Sequence, residues 1–576
     1  MMIVKYAGIF RWWFPLFHRA IVNRVTDSQL LKAILISIGG LLGACTTIGP
    51  EFQQPQVEWL AQWQQSIAAT SLSTKASLPK SSALADSIKN GAVPAASGLS
   101  VSPEQVNLQT WWLLFEDPVL NRLIEINKEE NLTLRGAGLR IFESRALLGI
   151  AGSSLYPQVQ QATGAINYVN SKSPAGAGDF NYTSYQTGVN LAWEMDFWGR
   201  FRRGIESADA GFFASVANHA DMQVLISAQV ADLYYAYRTT EVRITIAKKN
   251  AAIQKRSYEL TEQLFESGED SELDLQQAKT QYLATLSSIP QLEIVLVSTR
   301  NALTTLMGRP PGNVPELVAD VDVVGVAGVA KEQYTLPMAS SVNFSHISAN
   351  QLLQRPDVRS KAWQVAMQSA QIGIAQADYY PSISLLGTLG WSGNNTSGSS
   401  NTSSLVAGPA LRWNIFDYGR IENNIRLQDA RLQQLIESFQ ASVIQAAREV
   451  DDAVYSVIKT AEQQVLVDES VTAAQRALDI ANIRYKEGYA GFQRVLDAQR
   501  ALFSQAERQV INQGNHISAI ISLYKGLGGG WIAMPVDQLI PENTRSTMAK
   551  RSDWGELLTA PLPISEGSAS TGVVDD

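Results

Sequence analysis

The 576-residue chain contains one cysteine and four histidines, and charged residues make up only 17% of it. A single thiol excludes an internal disulfide and any cysteine-rich metal site. His18, His219, His346 and His516 are scattered, no HExxH or CxxC occurs, and Gly526-Leu-Gly-Gly-Gly530 lacks the Lys-Ser/Thr of a phosphate loop. With no constellation of nucleophile, base and orienting group, the chain reads as a non-enzyme without metal or diffusible cofactor. A net charge of −8 with no basic block excludes nucleic acid as a main partner. Beyond the N-terminus no apolar run approaches the roughly 20 residues of a membrane-spanning helix. Any contact with a bilayer must therefore be made by a lipid anchor or by strands.

The N-terminus supplies the first of these. Lys5, Arg11, Arg19, Arg24 and Lys32 precede an apolar stretch from Ala33 to Leu42, which runs into Leu42-Gly43-Ala44-Cys45. That order of basic, apolar and small residues is an export signal, here residues 1–44. The only thiol falls where bacterial lipoproteins are cut and acylated, so the stretch resembles a lipobox. The resemblance implies a mature chain beginning at Cys45 and carrying diacylglycerol and an N-acyl chain. Thr46 in place of Asp resembles the outer-membrane sorting rule of Gram-negative bacteria. The basic lead is long and contains Trp12, Trp13 and Phe14, which leaves a downstream start open.

An internal repeat organises the rest. Leu191-Ala-Trp193 matches Leu411-Arg-Trp413, and Trp198-Gly199-Arg200 matches Tyr418-Gly419-Arg420. Asp232, Tyr235, Gly268 and Gly308 match Asp452, Tyr455, Gly488 and Gly528, always at an offset of 220. Upstream, Gly149-Ile150-Ala151 and Tyr156-Pro157 match Gly373-Ile374-Ala375 and Tyr380-Pro381 at an offset of 224.

Each copy predicts two strands followed by a very long helix. Tyr185, Thr187, Val189, Leu191, Trp193, Met195 and Phe197 alternate with Gln186, Asn190, Glu194 and Asp196, the period of a strand with one apolar and one polar face. The expected strands are about 157–170, 184–197, 381–393 and 404–416, with Pro409 a local departure, joined by Gly/Ser/Asn-rich loops. After Arg200 and Arg420 the pattern becomes helical. Residues 420–487 hold neither Pro nor Gly, and about 67 residues at about 1.5 Å each give about 100 Å of helix. Val443, Ala447, Val450, Val454, Val457 and Ala461 predict a coiled-coil seam. Turns are expected at Gly268 and at Gly488 to Gly491. The return helices come in pieces, Glu272–Met307 with Gln351–Asp378 and Phe492–Lys525 with Val119–Gly152. Arg309–Ala349 reads as a mixed collar, and residues 62–104 and the tail after Pro541 as linker.

Strands of about 13 residues, tilted about 45°, span a bilayer core of about 30 Å. Four strands cannot close a barrel, and an open edge is prohibited in lipid. Copies must associate: two would supply eight strands and three would supply twelve, of which the larger leaves a water-filled lumen. A soluble sheet covered by helices is the alternative, but Trp193, Phe197, Trp198, Trp391, Trp413, Phe416 and Tyr418 gather at strand ends as an interfacial belt does.

Several motifs resemble the TolC-like outer-membrane factors, in particular their OprM/NodT-type lipoprotein subgroup. They are Cys45 with Gly49-Pro50-Glu51-Phe52 and Pro55, Trp111-Trp112 with Phe115-Glu-Asp117-Pro118-Val-Leu120, Leu155-Tyr156-Pro157 and the two strand-to-helix Gly-Arg pairs. Arg484-Tyr485 with Gly488, Val495-Leu496-Asp497-Ala498-Gln499-Arg500 and Tyr524-Lys525-Gly526 to Trp531 complete them. The resemblance implies an α+β membrane protein: a homotrimer with a twelve-stranded outer-membrane barrel and a long helical barrel in the periplasm. It divides the chain into signal (1–44), lipidated extension (45–117), first repeat (118–308), equatorial segment (309–350), second repeat (351–528) and tail (529–576). The implied function is the exit duct of a tripartite efflux system, passively conducting small toxic compounds, with a periplasmic adaptor (membrane fusion) protein and an inner-membrane RND-type transporter as partners. A channel of the same fold for type I protein secretion and a lipid-anchored helical scaffold without a pore are the alternatives. The resemblance also implies a periplasmic gate after the second tip: Asp497, with Arg500 and Tyr485 as latch partners, and Gln493 and Arg494 where other members carry an apolar plug or a further Asp. The tip turns at Gly268, Gly488 and Gly491 would meet the adaptor.

Overall fold

The computed structural model describes residues 47–57, 108–171, 180–269, 271–318, 336–337, 349–396 and 400–562. The export signal, Cys45, the linker 62–104 and most of the collar lie outside them. The α-helices of six residues or more are α1 (Pro118–Glu130), α2 (Leu132–Ser153), α3 (Arg200–Glu266), α4 (Glu272–Leu306), α5 (Ala349–Gln354), α6 (Pro356–Ala377), α7 (Arg420–Lys486), α8 (Gln493–Gly526) and α9 (Glu542–Arg551). The strands are β1 (Val159–Ser171), β2 (Phe180–Met195), β3 (Ser382–Asn394) and β4 (Thr402–Arg412). The chain forms two units, one made of Gly152–Ile205, Ala370–Gln428 and the residues up to Glu51, the other of the remainder.

In the first unit, sequence alternation becomes a two-faced sheet. The strands run antiparallel in the order β1-β2-β3-β4. Register sets Ala162, Val189, Leu389 and Leu405 side by side, and the next row holds Gln161, Asn190, Thr388 and Val406. Ile166, Tyr168, Leu191, Trp193, Leu385, Trp391 and Leu411 share the first face. Ser184, Gln186, Glu194, Ser384, Ser404 and Arg412 share the second. The apolar face is bare: Ile166 is 74% exposed and Leu405 75%. β4 ends at Arg412, short of the expected 416, because the chain must turn into α7. Asp417 accepts hydrogen bonds from the amides of Gly419 (3.1 Å) and Ile421 (2.7 Å), and Tyr418 adopts φ 54°. β2 likewise stops at Met195, and Asp196 caps α3 through the amides of Phe201 and Arg202 at 3.1 and 2.9 Å. Pro409 stands on β4, an edge strand, where sheets tolerate it.

α3 and α7, which belong to the second unit from Glu206 and Asp429 onward, both contain 67 residues and are the two long helices of the repeat. The return pieces are subdivided again. Asn131 ends α1 and starts α2, its side-chain oxygen accepting from the Leu134 amide at 2.8 Å and its amide donating to the Leu306 carbonyl at 2.6 Å. Val443, Ala447, Val450 and Val454 are buried with Phe439, Leu352 and Val365, and Val457 with Ile517 and Tyr524. Ala461 is exposed, however. Beyond Val457 the seam passes to Thr460, Gln464 and Asp468, because polar partners on α8 hold them: Asn512 donates to the Thr460 carbonyl (3.0 Å) and to Gln464 (2.8 Å), and Gln509 to Asp468 (2.7 Å). Nor is the segment after Pro541 only a linker. α9 forms there, and Met548 and Leu558 are buried with Val536, Leu539, Ile540, Ile141 and Phe212. No described helix is long and apolar enough to cross a membrane.

Candidate functional site

The second unit presents two helical tips. α3 ends in a Schellman turn, with Gly268 at φ 79° and the Glu269 amide donating to the Leu264 carbonyl at 2.8 Å. α7 ends the same way, with Gly488 at φ 76° and the Tyr489 amide reaching the Arg484 carbonyl at 2.8 Å. The Gly491 carbonyl then accepts from the Arg494 amide as α8 begins. An apolar plug of Phe492, Val495, Leu496, Leu478 and Ala278 holds the tips together, with Tyr485 tilted against Phe492 at 5.3 Å.

On the exposed side of this plug the Asp497 carboxylate accepts from Gln493 Nε2 at 3.1 Å. Arg500 stands 3.9 Å from Asp497, with both side chains about half exposed, and its Nε donates to Gln281 on α4. The structure thus brings Gln493, Asp497 and Arg500 together, ties Arg500 to the first hairpin, and puts Tyr485 in the apolar cluster. Arg494 is exposed. Gln499 Nε2 donates to Ser257 at 3.0 Å, a second link between the hairpins.

Farther along these helices lies a charged cluster that sequence reasoning did not single out, because its members come from four elements. Arg355, 8% exposed in its side chain, contacts Asp357 and Glu449 at 2.9 Å and donates to the Gly526 carbonyl at 2.6 Å. Asp221 and Lys525 line the same cavity of about 150 Å³. Burial pushes the Asp221 carboxyl up to about 6, with Asp357 adding to the shift and Arg355 opposing it. His219 and His516 lie apart, one beside Gln223 and the other beside Thr460. Among the described residues no group of acidic, histidine or cysteine side chains is arranged to hold a metal ion.

In the first unit, aromatic side chains gather where β2 and β4 end. Trp193 Nε1 donates to the Leu155 carbonyl (3.1 Å) and Trp413 Nε1 to the Tyr379 carbonyl (3.0 Å), the same contact in both copies. Trp198 donates to the Pro381 carbonyl at 2.9 Å and stacks on Tyr380 at 4.7 Å. Phe416 and Tyr418 are 88% and 102% exposed. Trp391 stands toward the opposite end, between Thr187 and Ser403.

A bare apolar face bounded by aromatics, an opposite polar face and two open edges describe part of a transmembrane β-barrel. The family model for outer membrane efflux proteins matches residues 123–309 and 348–529. The chain belongs to the outer membrane efflux protein family. This efflux protein is 28% identical over 452 residues to the pyoverdine export outer membrane protein OpmQ of Pseudomonas putida, covering 76% of this chain and 91% of OpmQ. It is 27% identical over 513 residues to SilC of Salmonella typhimurium, a probable outer membrane lipoprotein, covering 87% and 99% of the two chains. The solved outer-membrane channel OprN superposes with a TM-score of 0.67 at 28% identity, covering 84% of this chain and 100% of that one. The efflux protein has the α+β TolC-like fold and is an outer-membrane efflux duct, in a family of channels rather than enzymes. Cys45, the expected lipid site, lies outside the described residues.

Proposed function

We propose that three copies of this chain close one twelve-stranded barrel, and that the duct so formed receives its cargo from a periplasmic adaptor and an inner-membrane RND-type transporter. The sheet carries this reading. Four strands leave β1 and β4 each with one neighbour, and unpaired backbone groups cost several kcal/mol each in lipid. Joining β1 of one copy to β4 of the next removes every edge. The polar faces then line the lumen and the apolar faces meet lipid. The long helices of the three copies continue the duct into the periplasm.

A diacylglycerol and an N-acyl chain on Cys45 anchor each copy to the outer membrane, supported by the lipobox and by the likeness to a probable lipoprotein. Asp497, Arg500 and their neighbours restrict the periplasmic mouth, and the turns at Gly268, Gly488 and Gly491 meet the adaptor. Cargo is small toxic compounds, chosen by the transporter and adaptor rather than by the duct.

The test is purified full-length protein in planar bilayers, with subunit mass by native mass spectrometry and drug susceptibility of a deletion strain lacking redundant channels. Trimers, discrete conductance steps and increased sensitivity are expected. A monomer silent in bilayers would leave the scaffold reading instead. Unchanged sensitivity with lost export of a protein would leave the secretion reading.

A further inference from the structure

The repeat provides an internal control for one junction. In the first copy, the chain two residues beyond Cys45 lies against the turn from β2 into α3. The Ile48 amide donates to the Trp198 carbonyl at 3.2 Å, and Arg203, only 4% exposed, donates from Nε to the Ile48 carbonyl and from Nη2 to the Gly49 carbonyl, both at 3.1 Å. Three glycines make room. A Cβ on Gly49 would stand 2.4 Å from the Gly373 Cα, one on Gly373 would stand 2.7 Å from the Ile48 carbonyl oxygen, and one on Gly199 would stand 2.8 Å from the Thr47 Cα. Gly49 and Gly199 also have positive φ, 107° and 77°.

The counterpart junction, which pairs Gly419 of the second copy with Gly149 of the first, lacks these contacts. Gly149 stands for Gly373, and nothing lies within 4 Å of a Cβ built there. Gly419 stands for Gly199, and a Cβ there would meet only Asn423 Nδ2 at 3.5 Å. Asn423 replaces Arg203 and donates back to the Gly419 carbonyl at 2.9 Å. A strand-to-helix turn closed by glycine therefore requires neither the arginine nor the close glycine contact. What distinguishes the junction at Gly199 is the stretch of chain seated on it.

The geometry points to a built seat for the lipid tether: Arg203, Gly199 and Gly373 clamp Thr47–Gly49 so that an acylated Cys45 is held at the aromatic end of the sheet. Two residues of chain reach at most about 7 Å. Trp198, whose carbonyl takes the Ile48 amide, is one of the aromatics of this end. Aromatic girdles mark the level of the bilayer interface, so the clamp delivers the acyl chains to the leaflet that surrounds the foot of the sheet. It sets the depth at which the sheet enters lipid. Arg203 is a positioning residue, and the seat rests on Cys45 being lipidated, as proposed above.

The test uses full-length protein made in a Gram-negative host. Mass spectrometry of the N-terminal peptide reports acylation. With Cys45 modified, Glu51→Cys offers the only free thiol for a nitroxide label, whose mobility reports the tether. Trimer recovered from the outer membrane, relative to total chain, reports insertion. Gly373→Leu and Arg203→Gln are expected to leave acylation intact, mobilise the label and lower inserted trimer severalfold. Two residues inserted after Thr46 lengthen the tether and are expected to lower inserted trimer too. An immobile label in both clamp variants overturns the clamp. A mobile label with undiminished insertion, in these and in the lengthened tether, overturns the depth-setting role. An unmodified Cys45 in the parent protein sinks the lipid reading, and the seat as a lipid seat with it, while label mobility still shows whether the clamp exists.

Discussion

Arg500 reaches the opposite hairpin through Gln281, while its ion pair with Asp497 is loose at 3.9 Å and exposed. Exposed i, i+3 pairs contribute a few tenths of a kcal/mol at most. The proposed latch therefore rests on the hairpin-to-hairpin link more than on the charge pair. Asp497→Ala with Arg500→Ala is expected to raise single-channel conductance in planar bilayers, and Arg500→Ala alone to account for most of the rise. Equal conductance in parent and double variant would remove these residues from the gate without touching the channel. Asp221 supplies a second prediction. Its cavity gathers three carboxylates and two cations, and its folded pKa of about 6 exceeds the ordinary 3.8. Between those values the folded chain keeps a proton that the unfolded chain has released, so stability rises as pH falls through about 6 and the penalty is complete above it. Asp221→Asn balances the charges, and is expected to raise the unfolding temperature by a few degrees at pH 7.5 and to flatten its dependence between about pH 4 and 6. A parallel pH profile in the two proteins would refute the assignment.

Among the elements, the tips depend most on backbone conformation. A Cβ at Gly488 would meet nothing within 4 Å, so only its φ of 76° demands glycine. Gly488→Ala is expected to cost about 1–2 kcal/mol locally, seen as faster hydrogen exchange at residues 484–492 with unchanged exchange in the α1 core. These turns were legible in the sequence because glycine after a long helix has few other uses, and the strand faces were legible because alternation over a dozen residues has one geometric meaning. Where one residue type serves two structures, legibility failed. The seam continues through Gln464 rather than Ala461 because partners on α8, distant in sequence, make polar burial acceptable. α9 is polar along its length and shows its role only through Met548 and the surrounding Val536, Leu539 and Leu558. The tether seat had one visible trace, the replacement of Arg203 by Asn423 four residues after the matched Gly199 and Gly419. Its meaning needed the chain from Thr47 to Gly49 to be in place.

At the scale of the whole molecule, the question is which side of the sheet meets lipid, and one pair of substitutions decides it. Leu405 lies in the row of Val189 and Leu389, near the middle of the strands, and Thr388 lies one residue away in the row of Asn190. Either site accepts an arginine sterically in the isolated protomer, since both side chains are exposed. In the closed barrel their surroundings diverge. Leu405→Arg places a guanidinium against hydrocarbon at a cost of about 2–4 kcal/mol per copy near the midplane, tripled by symmetry, and is expected to abolish inserted trimer. Thr388→Arg places three charges in a wet lumen, where they are expected to leave trimer yield near parental and lower the preference for cations over anions, read from reversal potentials in a salt gradient. If both variants inserted equally well, the apolar face would not be the lipid face. If Thr388→Arg inserted with unchanged ion preference, the polar rows would not line the conducting path, and a twelve-stranded pore built from this sheet would have to be abandoned.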